Sequence, residues 1–208
     1  MTGPSMAAAL LESAWITARL AAALATLGAI VAMAIVHARA GGGRAVAVRQ
    51  RRSGTAPRVA AMLLAAFAGA VVTTLTRDQA ASWLPAGGQA IVAAGSMLSS
   101  LCGGMFAAWA AMTLGVNFTI GAVVREGGGL VTGGPFALVR HPFYGALGLL
   151  GVGAALAAGS LVGAAVFLAG YAPAARWRAG LEEDLLAEAW PATWPAYAAR
   201  TPRFLPRL

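Results

Sequence analysis

Charged positions divide the first third of the chain into two long apolar stretches. No residue between Arg19 and His37 carries a charge, and none between Arg58 and Arg77 does. Each stretch is close to the roughly 20 apolar residues that cross a bilayer core as a helix. The pattern therefore predicts two membrane-spanning helices here, span 1 and span 2.

A third uncharged stretch runs from 79 to 124. It opens with a turn-like segment at 82–88, which contains a proline and two glycines. We therefore expect the third spanning helix to cover about 89–114.

A fourth uncharged stretch covers 142–175. A single helix of that length would extend to about 50 Å, which is too long for a hydrocarbon core of about 30 Å. The run is therefore predicted to fold back as a hairpin at Gly159-Ser160. Its two arms are expected at 143–158 and at 161 to about 177.

Small residues are frequent in this hairpin, and they allow close helix packing in lipid. We expect the hairpin glycines, including Gly159 and Gly163, to serve tight packing. The same interpretation applies to the small polar residues of the third span, which are Ser96, Ser99, Ser100 and Cys102.

The composition supports a membrane protein. Hydrophobic residues make up 59% of the chain and charged residues 11%, against roughly 45–50% and about 25% in globular proteins. One cysteine excludes a disulfide framework, and with only two histidines a His/Cys metal cage is not expected. The predicted fold class is all-α, a polytopic membrane protein with about five transmembrane helices, the last two forming the hairpin, and a cytoplasmic C-terminal segment.

The chain is expected to have two regions. Residues 1–114 would hold three transmembrane helices and a basic cytoplasmic loop at 38–58, and residues 115–208 would form the functional region.

All 15 basic residues are arginines, and thirteen of them lie on one side of the membrane in this topology. The N-terminus would then face outward and the C-terminus the cytoplasm. A cleavable signal is rejected, because the basic residues follow the first apolar run.

Basic residues in the loop at 44–52 raise the possibility of nucleic-acid binding. A short polybasic loop between two spans is explained by membrane orientation and by attraction to anionic headgroups. We therefore expect the lipid bilayer as a partner, and no nucleic acid.

Two polar groups flank the hairpin. Arg140 and His141 come immediately before Pro142, which favours a helix start there and leaves both residues just outside it. Glu182 and Glu183 follow the second arm, where the helix is expected to run past the membrane. Because the arms are nearly equal in length, the two groups should meet at one membrane face.

These residues allow two interpretations. Arg140 can simply snorkel toward the headgroups, while His141 makes a structural hydrogen bond and the acids cover a solvated helix end. Alternatively, the residues line a polar pocket at the interface, in which Arg178 pairs with Glu182 one helical turn away.

At these positions the sequence resembles the isoprenylcysteine carboxyl methyltransferase and phospholipid methyltransferase superfamily of integral membrane enzymes. The resemblance covers roughly 113–208. It rests on the segment Arg140-His141-Pro142-Phe143-Tyr144, on the Glu182-Glu183 pair, and on the shorter matches at 114–118, 130–136 and 202–206. The sequence departs from relatives at 127–129, where they often carry histidine, at Phe136 and at Trp190-Pro191.

The resemblance implies S-adenosylmethionine as the cofactor, with no metal. It implies that the cofactor site is lined by Gly134, Val139, Arg140, His141, Pro142, Tyr144, Glu182 and Glu183. Methyl transfer from a sulfonium needs an aligned, desolvated acceptor rather than a nucleophilic side chain. No catalytic residue is therefore assigned, although His141 or Glu183 is a possible proton acceptor.

A lipophilic small-molecule acceptor, with a carboxylate, thiol or amine, would enter from the lipid, and Asn117 is a candidate contact.

An NADPH-dependent reductase of the sterol-reductase type is an alternative function, in which Arg176 or Arg178 would bind the 2′-phosphate of NADPH. A non-enzymatic membrane subunit is a second alternative. The bias toward alanine, glycine and arginine, with no lysine, suggests a bacterial inner-membrane protein.

Overall fold

The computed structural model describes residues 6–40, 83–117 and 129–206. Within these ranges all regular secondary structure is helical, as the sequence predicts. Span 2 and most of the basic loop lie outside the described residues, as do positions 127 and 128. The helices are α1 (Met6–Ala40), α2 (Ala86–Leu114), α3 (Pro135–Leu138), α4 (Pro142–Ala157), α5 (Leu161–Ala189) and α6 (Trp194–Arg200), with a 3₁₀ turn at Gly115–Asn117.

Two described helices contain a stretch long and apolar enough to cross a membrane. These stretches are Met6–Thr26 in α1 and Ala86–Leu114, the whole of α2. The helix α2 begins three residues earlier than predicted, because Pro85 caps it and accepts a hydrogen bond from the Gln89 amide at 3.1 Å. The two glycines expected in a turn therefore lie in the first helical turn.

The predicted hairpin is present as α4 and α5. The chain reverses at Gly159, whose φ of +73° lies in the left-handed region that glycine adopts without strain. Ser160 then caps α5 by accepting a hydrogen bond from the Gly163 amide at 2.8 Å. Gly159 thus shapes the turn, while Gly163 is buried in the first turn of α5, which is compatible with the packing role expected for it.

Other hairpin glycines do permit close packing. A Cβ atom on Gly151 would lie 2.1 Å from Cζ of Phe167 in α5, and a Cβ atom on Gly153 would lie 2.2 Å from Oγ of Ser100 in α2. The two glycines therefore face different neighbours. The short helix α4 is held between α2 and α5.

The serines of α2 also bind α4 through hydrogen bonds. Ser96 Oγ donates to the carbonyl of Gly153 and Ser99 Oγ to the carbonyl of Leu149, both at 2.8 Å. The expectation of simple packing residues was therefore incomplete. Among the described residues, the fully buried Ser100 hydroxyl has no hydrogen-bond partner.

The helix α5 continues twelve residues past 177, or about 18 Å at the helical rise. This confirms the prediction that it runs on past the apolar part of the hairpin. After α6 the chain returns to the start of α4, where the amides of Arg140 and His141 donate to the carbonyls of Pro202 and Arg203. The end of the chain is thereby bound to the hairpin entrance.

Candidate functional site

The start of α4 presents Arg140 and His141 as the sequence predicts. Pro142 occupies the first helical position, where its missing amide hydrogen costs nothing. His141 precedes it with φ −124° and ψ 66°, outside the helical region. The two side chains are therefore not directed along the helix face, and both turn toward the end of α5.

Glu183 joins the two ends of the hairpin directly. Its Oε1 atom accepts from Arg140 Nε at 2.9 Å and lies 3.0 Å from His141 Nε2. These residues are separated by more than forty positions in sequence. The prediction that the two polar groups meet in space is confirmed.

Glu182 binds a different set of partners. Its Oε1 accepts from the Tyr144 hydroxyl at 2.8 Å and from Arg178 Nε at 3.0 Å. His141 Nδ1 lies 3.6 Å from its other oxygen. Adjacent helical residues point about 100° apart, which is why the two glutamates divide these partners. The predicted pair of Arg178 and Glu182 is confirmed, and Arg178 is thereby engaged with a carboxylate.

Two site residues come from the segment after α6, and the sequence analysis placed them in the matching segment 202–206 without giving either a role in the site. Arg203 donates to both oxygens of Glu183, from Nε at 3.0 Å and from Nη2. The ring of Phe204 lies 5.9 Å from that of His141 and 6.4 Å from that of Tyr144. The signals for these contacts were the match of 202–206 to the superfamily and the prolines at 202 and 206, which restrict the backbone of the segment.

Arg140 also fastens this segment through its guanidinium. Its Nη1 donates to the carbonyls of Ala198 and Thr201, at 2.7 and 2.5 Å. Further back, the Tyr197 hydroxyl donates to the carbonyl of Phe136 at 2.8 Å. The site is consequently built from three segments: the start of α4, the end of α5 and the chain after α6.

Tyr171 supports the site from the interior of α5. Its hydroxyl donates to the backbone carbonyl of Tyr144 at 2.6 Å, and its ring stacks on Phe167 at 5.0 Å. The helix α5 therefore holds Tyr144 at two points, its carbonyl through Tyr171 and its hydroxyl through Glu182. Sequence reasoning did not identify this residue.

Attraction between opposite charges shifts the pKa values of the histidine and the two glutamates in the cluster. Burial would lower the pKa of His141, but its contacts with Glu182 and Glu183 outweigh that effect and raise it above 6.5. Burial would raise the pKa of each glutamate, but hydrogen bonds, first from His141 and then from the neighbouring arginine or tyrosine groups, lower both below 4.5. Since each ring nitrogen of His141 faces a carboxylate, the imidazolium is the favoured form.

The charged set has a definite chemical character. Three guanidinium groups and an imidazolium surround two carboxylates, and the side chains of Arg203 and Glu182 remain 33% and 25% exposed. Such a set offers oxygen acceptors to hydroxyl or ammonium groups and cationic donors to a carboxylate. A glutamate with a lowered pKa and a doubly paired imidazolium are both weak bases.

The remaining predicted site residues are not drawn into this cluster through their side chains. Val139 and Pro142 are fully buried. Gly134, with φ +58°, lies against α2, where a Cβ atom would be 2.7 Å from Oγ1 of Thr113. Asn117 ends the 3₁₀ turn after α2, and that turn packs against α1.

Part of the chain is similar to known proteins. Residues 91–193 match the phospholipid methyltransferase family. Over 86 residues the chain is 42% identical to the cobalt-zinc-cadmium resistance protein CzcN of Cupriavidus metallidurans, an alignment that covers 40% of this chain. The chain spans 38% of the length of that relative.

The family match includes the hairpin and both glutamates, and it does not favour the reductase alternative. Together with the apolar helices it identifies an integral membrane protein. Residues 91–193 thus match the phospholipid methyltransferase family, which belongs to the isoprenylcysteine carboxyl methyltransferase and phospholipid methyltransferase superfamily of membrane methyltransferases.

Proposed function

We propose that the protein transfers a methyl group from S-adenosylmethionine to a lipophilic acceptor at the cytoplasmic face of the bacterial inner membrane. The observation that carries this proposal is the ion cluster formed by Arg140, His141, Glu182 and Glu183 inside the segment that matches the family. It joins the two ends of the hairpin at one place. In the topology derived from the arginines, that place is the cytoplasmic side.

The residues of the cluster suit the polar parts of this cofactor. S-adenosylmethionine has ribose hydroxyls, an ammonium, a carboxylate and a sulfonium, and it supplies an electrophilic methyl group when bound. The carboxylates of Glu182 and Glu183 are suited to the hydroxyls or the ammonium, and the arginines to the carboxylate. The backbone between Gly134 and Val139 would help to enclose the cofactor. The Val139 side chain is buried in the protein, so this residue would contact the cofactor through its backbone.

The acceptor would approach from the lipid side. Beside the apolar helices, Asn117 at the end of the 3₁₀ turn after α2 is the candidate polar contact for its head group. The side chains of the cluster would bind and orient the donor while the apolar helices exclude water from the acceptor. Because His141 and Glu183 are weak bases in this network, we expect the acceptor to arrive already deprotonated, as a carboxylate, a thiolate or a neutral amine.

Binding of S-adenosylhomocysteine to the purified protein in detergent tests the proposal. Calorimetry should show saturable binding by the natural chain, and none by Glu183→Gln or His141→Ala at the same concentrations. Asp184→Asn is the matched control, since this exposed neighbour of Glu183 loses the same charge. It should bind as the natural chain does.

The outcomes separate the alternatives. Stabilisation by NADPH without binding of S-adenosylhomocysteine would support the reductase, and binding of neither would support a non-enzymatic subunit. Equal affinity in Glu183→Gln, His141→Ala and the natural chain would place the donor elsewhere. Incubating membranes of expressing and non-expressing cells with methyl-labelled donor then identifies the acceptor as the lipid-soluble species labelled only in the former.

A further inference from the structure

Arg203 lies beyond the segment 91–193 that matches the phospholipid methyltransferase family, although it belongs to the tail 202–206 that carries part of the wider resemblance. That match ends at residue 193, before α6, whereas Arg203 follows α6 in the segment 201–206 that returns to the hairpin entrance. It nevertheless makes the most extensive contact with Glu183 of any described residue, because it reaches both carboxylate oxygens. A guanidinium and a carboxylate paired in this way fix each other's orientation.

The other partners of Glu183 hold it less completely. Arg140 and His141 both contact Oε1, and Arg140 uses its Nη1 for the carbonyls of Ala198 and Thr201. Among the described residues, Oε2 of Glu183 is held by Arg203. Without that contact the carboxylate keeps its place through Oε1 and can rotate about it.

The binding of the segment 201–206 to the hairpin entrance does not depend on the Arg203 side chain. Its backbone is bound to the amides of Arg140 and His141 through the carbonyls of Pro202 and Arg203, and Thr201 accepts from the Arg140 guanidinium. Thr201 is buried, whereas the Arg203 side chain is 33% exposed. Removing the guanidinium should therefore leave the segment bound while releasing one oxygen of Glu183.

We propose that Arg203 is a positioning residue, which holds the Glu183 carboxylate in the orientation that the methyl donor requires, so that the segment 201–206 completes the donor site. The inference rests on the proposed function, because the donor is the ligand whose binding Arg203 would control. It extends the site ten residues beyond the matched family segment.

The test compares Arg203→Met and Arg203→Lys with Arg200→Met, an exposed arginine three residues earlier that loses the same charge. Affinity for S-adenosylhomocysteine is measured by calorimetry in detergent. We expect at least a tenfold loss in Arg203→Met, a smaller loss in Arg203→Lys, and a change within twofold in Arg200→Met. Lysine restores a charge but not the two-point contact.

A pH series separates positioning from a general structural effect. Burial raises the pKa of Glu183, but hydrogen bonds from His141, Arg203 and Arg140, in that order, outweigh it and lower the pKa below its usual value. In Arg203→Met the acid limit of donor binding should therefore move to higher pH, and in Arg200→Met it should stay. A loss of affinity with an unmoved acid limit in Arg203→Met would mean that the segment has simply loosened, which overturns the inference.

The remaining outcomes are also decisive. If the natural chain binds S-adenosylhomocysteine and Arg203→Met binds it equally well, only this inference fails. If the natural chain does not bind it, the proposed function fails and the inference with it. If Arg203→Met does not fold, Arg203→Lys decides, because natural affinity in that variant would show that the two-point contact is not needed.

Discussion

Replacing Gly151 with alanine should separate the two arms of the hairpin. The added Cβ atom would lie 2.1 Å from Cζ of Phe167 and 2.4 Å from its Cε1, whereas carbon atoms in contact sit about 3.5–4.0 Å apart. Phe167 is fully buried, so its ring has no open space to rotate into. The helices α4 and α5 must therefore move apart by more than an ångström.

The cost of this movement can be worked out from known overpacking effects. Inserted methyl groups in packed cores typically cost about 1–3 kcal/mol, and the severity of this overlap indicates the upper end of that range. The gain of alanine over glycine in a helix, about 1 kcal/mol, offsets part of it. For a chain of this size, a net loss of about 2 kcal/mol lowers the melting temperature by on the order of 5 °C.

Circular dichroism of the detergent-solubilised protein during heating measures this change. Gly180→Ala in α5 is the control, since a Cβ atom there meets nothing within 4 Å, and it should leave the melting temperature equal or slightly raised. Phe167→Leu should partly restore the stability of Gly151→Ala, because it removes the overlapping atoms. A melting temperature of Gly151→Ala equal to that of Gly180→Ala would refute the packing argument.

Four further predictions concern individual side chains. Ser96→Ala should lower the free energy of unfolding by about 1 kcal/mol, since it removes a buried interhelical hydrogen bond. Ser100→Ala should leave the free energy of unfolding nearly unchanged in the same melting experiment, because the Ser100 hydroxyl has no partner among the described residues. Equal losses of stability in Ser96→Ala and Ser100→Ala would contradict this assignment. Tyr171→Phe should weaken binding of S-adenosylhomocysteine about fivefold by releasing the carbonyl of Tyr144. An unchanged affinity in calorimetry would show that the Tyr171 hydroxyl does not support the site. Because the pKa of His141 is raised, its contribution to stability is complete below pH 6.5 and is lost as the pH rises through the higher folded-state value; a melting series from pH 6 to 9 should show this loss in the natural chain and not in His141→Gln.

Much of the candidate site could be predicted because its members belong to short sequence patterns. Pro142 both starts a helix and places Arg140 and His141 outside it, and this is a local effect of the proline ring. The length of the apolar run and the turn at Gly159 predict a hairpin whose two polar groups lie at the same end. The structure confirms that His141 lies beside Glu183, although α5, with 29 residues against 16 in α4, is the longer arm.

Other contacts depend on how whole helices sit against one another. The roles of Ser96 and Ser99 as donors to α4 follow from the axial position of α2 relative to α4, which no local pattern specifies. The contact of Tyr171 with the Tyr144 carbonyl requires the spacing between α4 and α5 that Gly151 permits. These contacts can be read only from the assembled helices.

The order of residues alone predicts apolar helices, the position of the hairpin turn, and the residues at the two ends of the hairpin. These properties depend on hydrophobic length, on proline and glycine, and on charge, all of which act over one or two turns of helix. The folded arrangement was needed to show that Arg203 reaches both oxygens of Glu183 and that Phe204 packs against His141. The physical reason is that the return of the chain end is stabilised by backbone hydrogen bonds to the amides of Arg140 and His141, and backbone groups are the same in every residue.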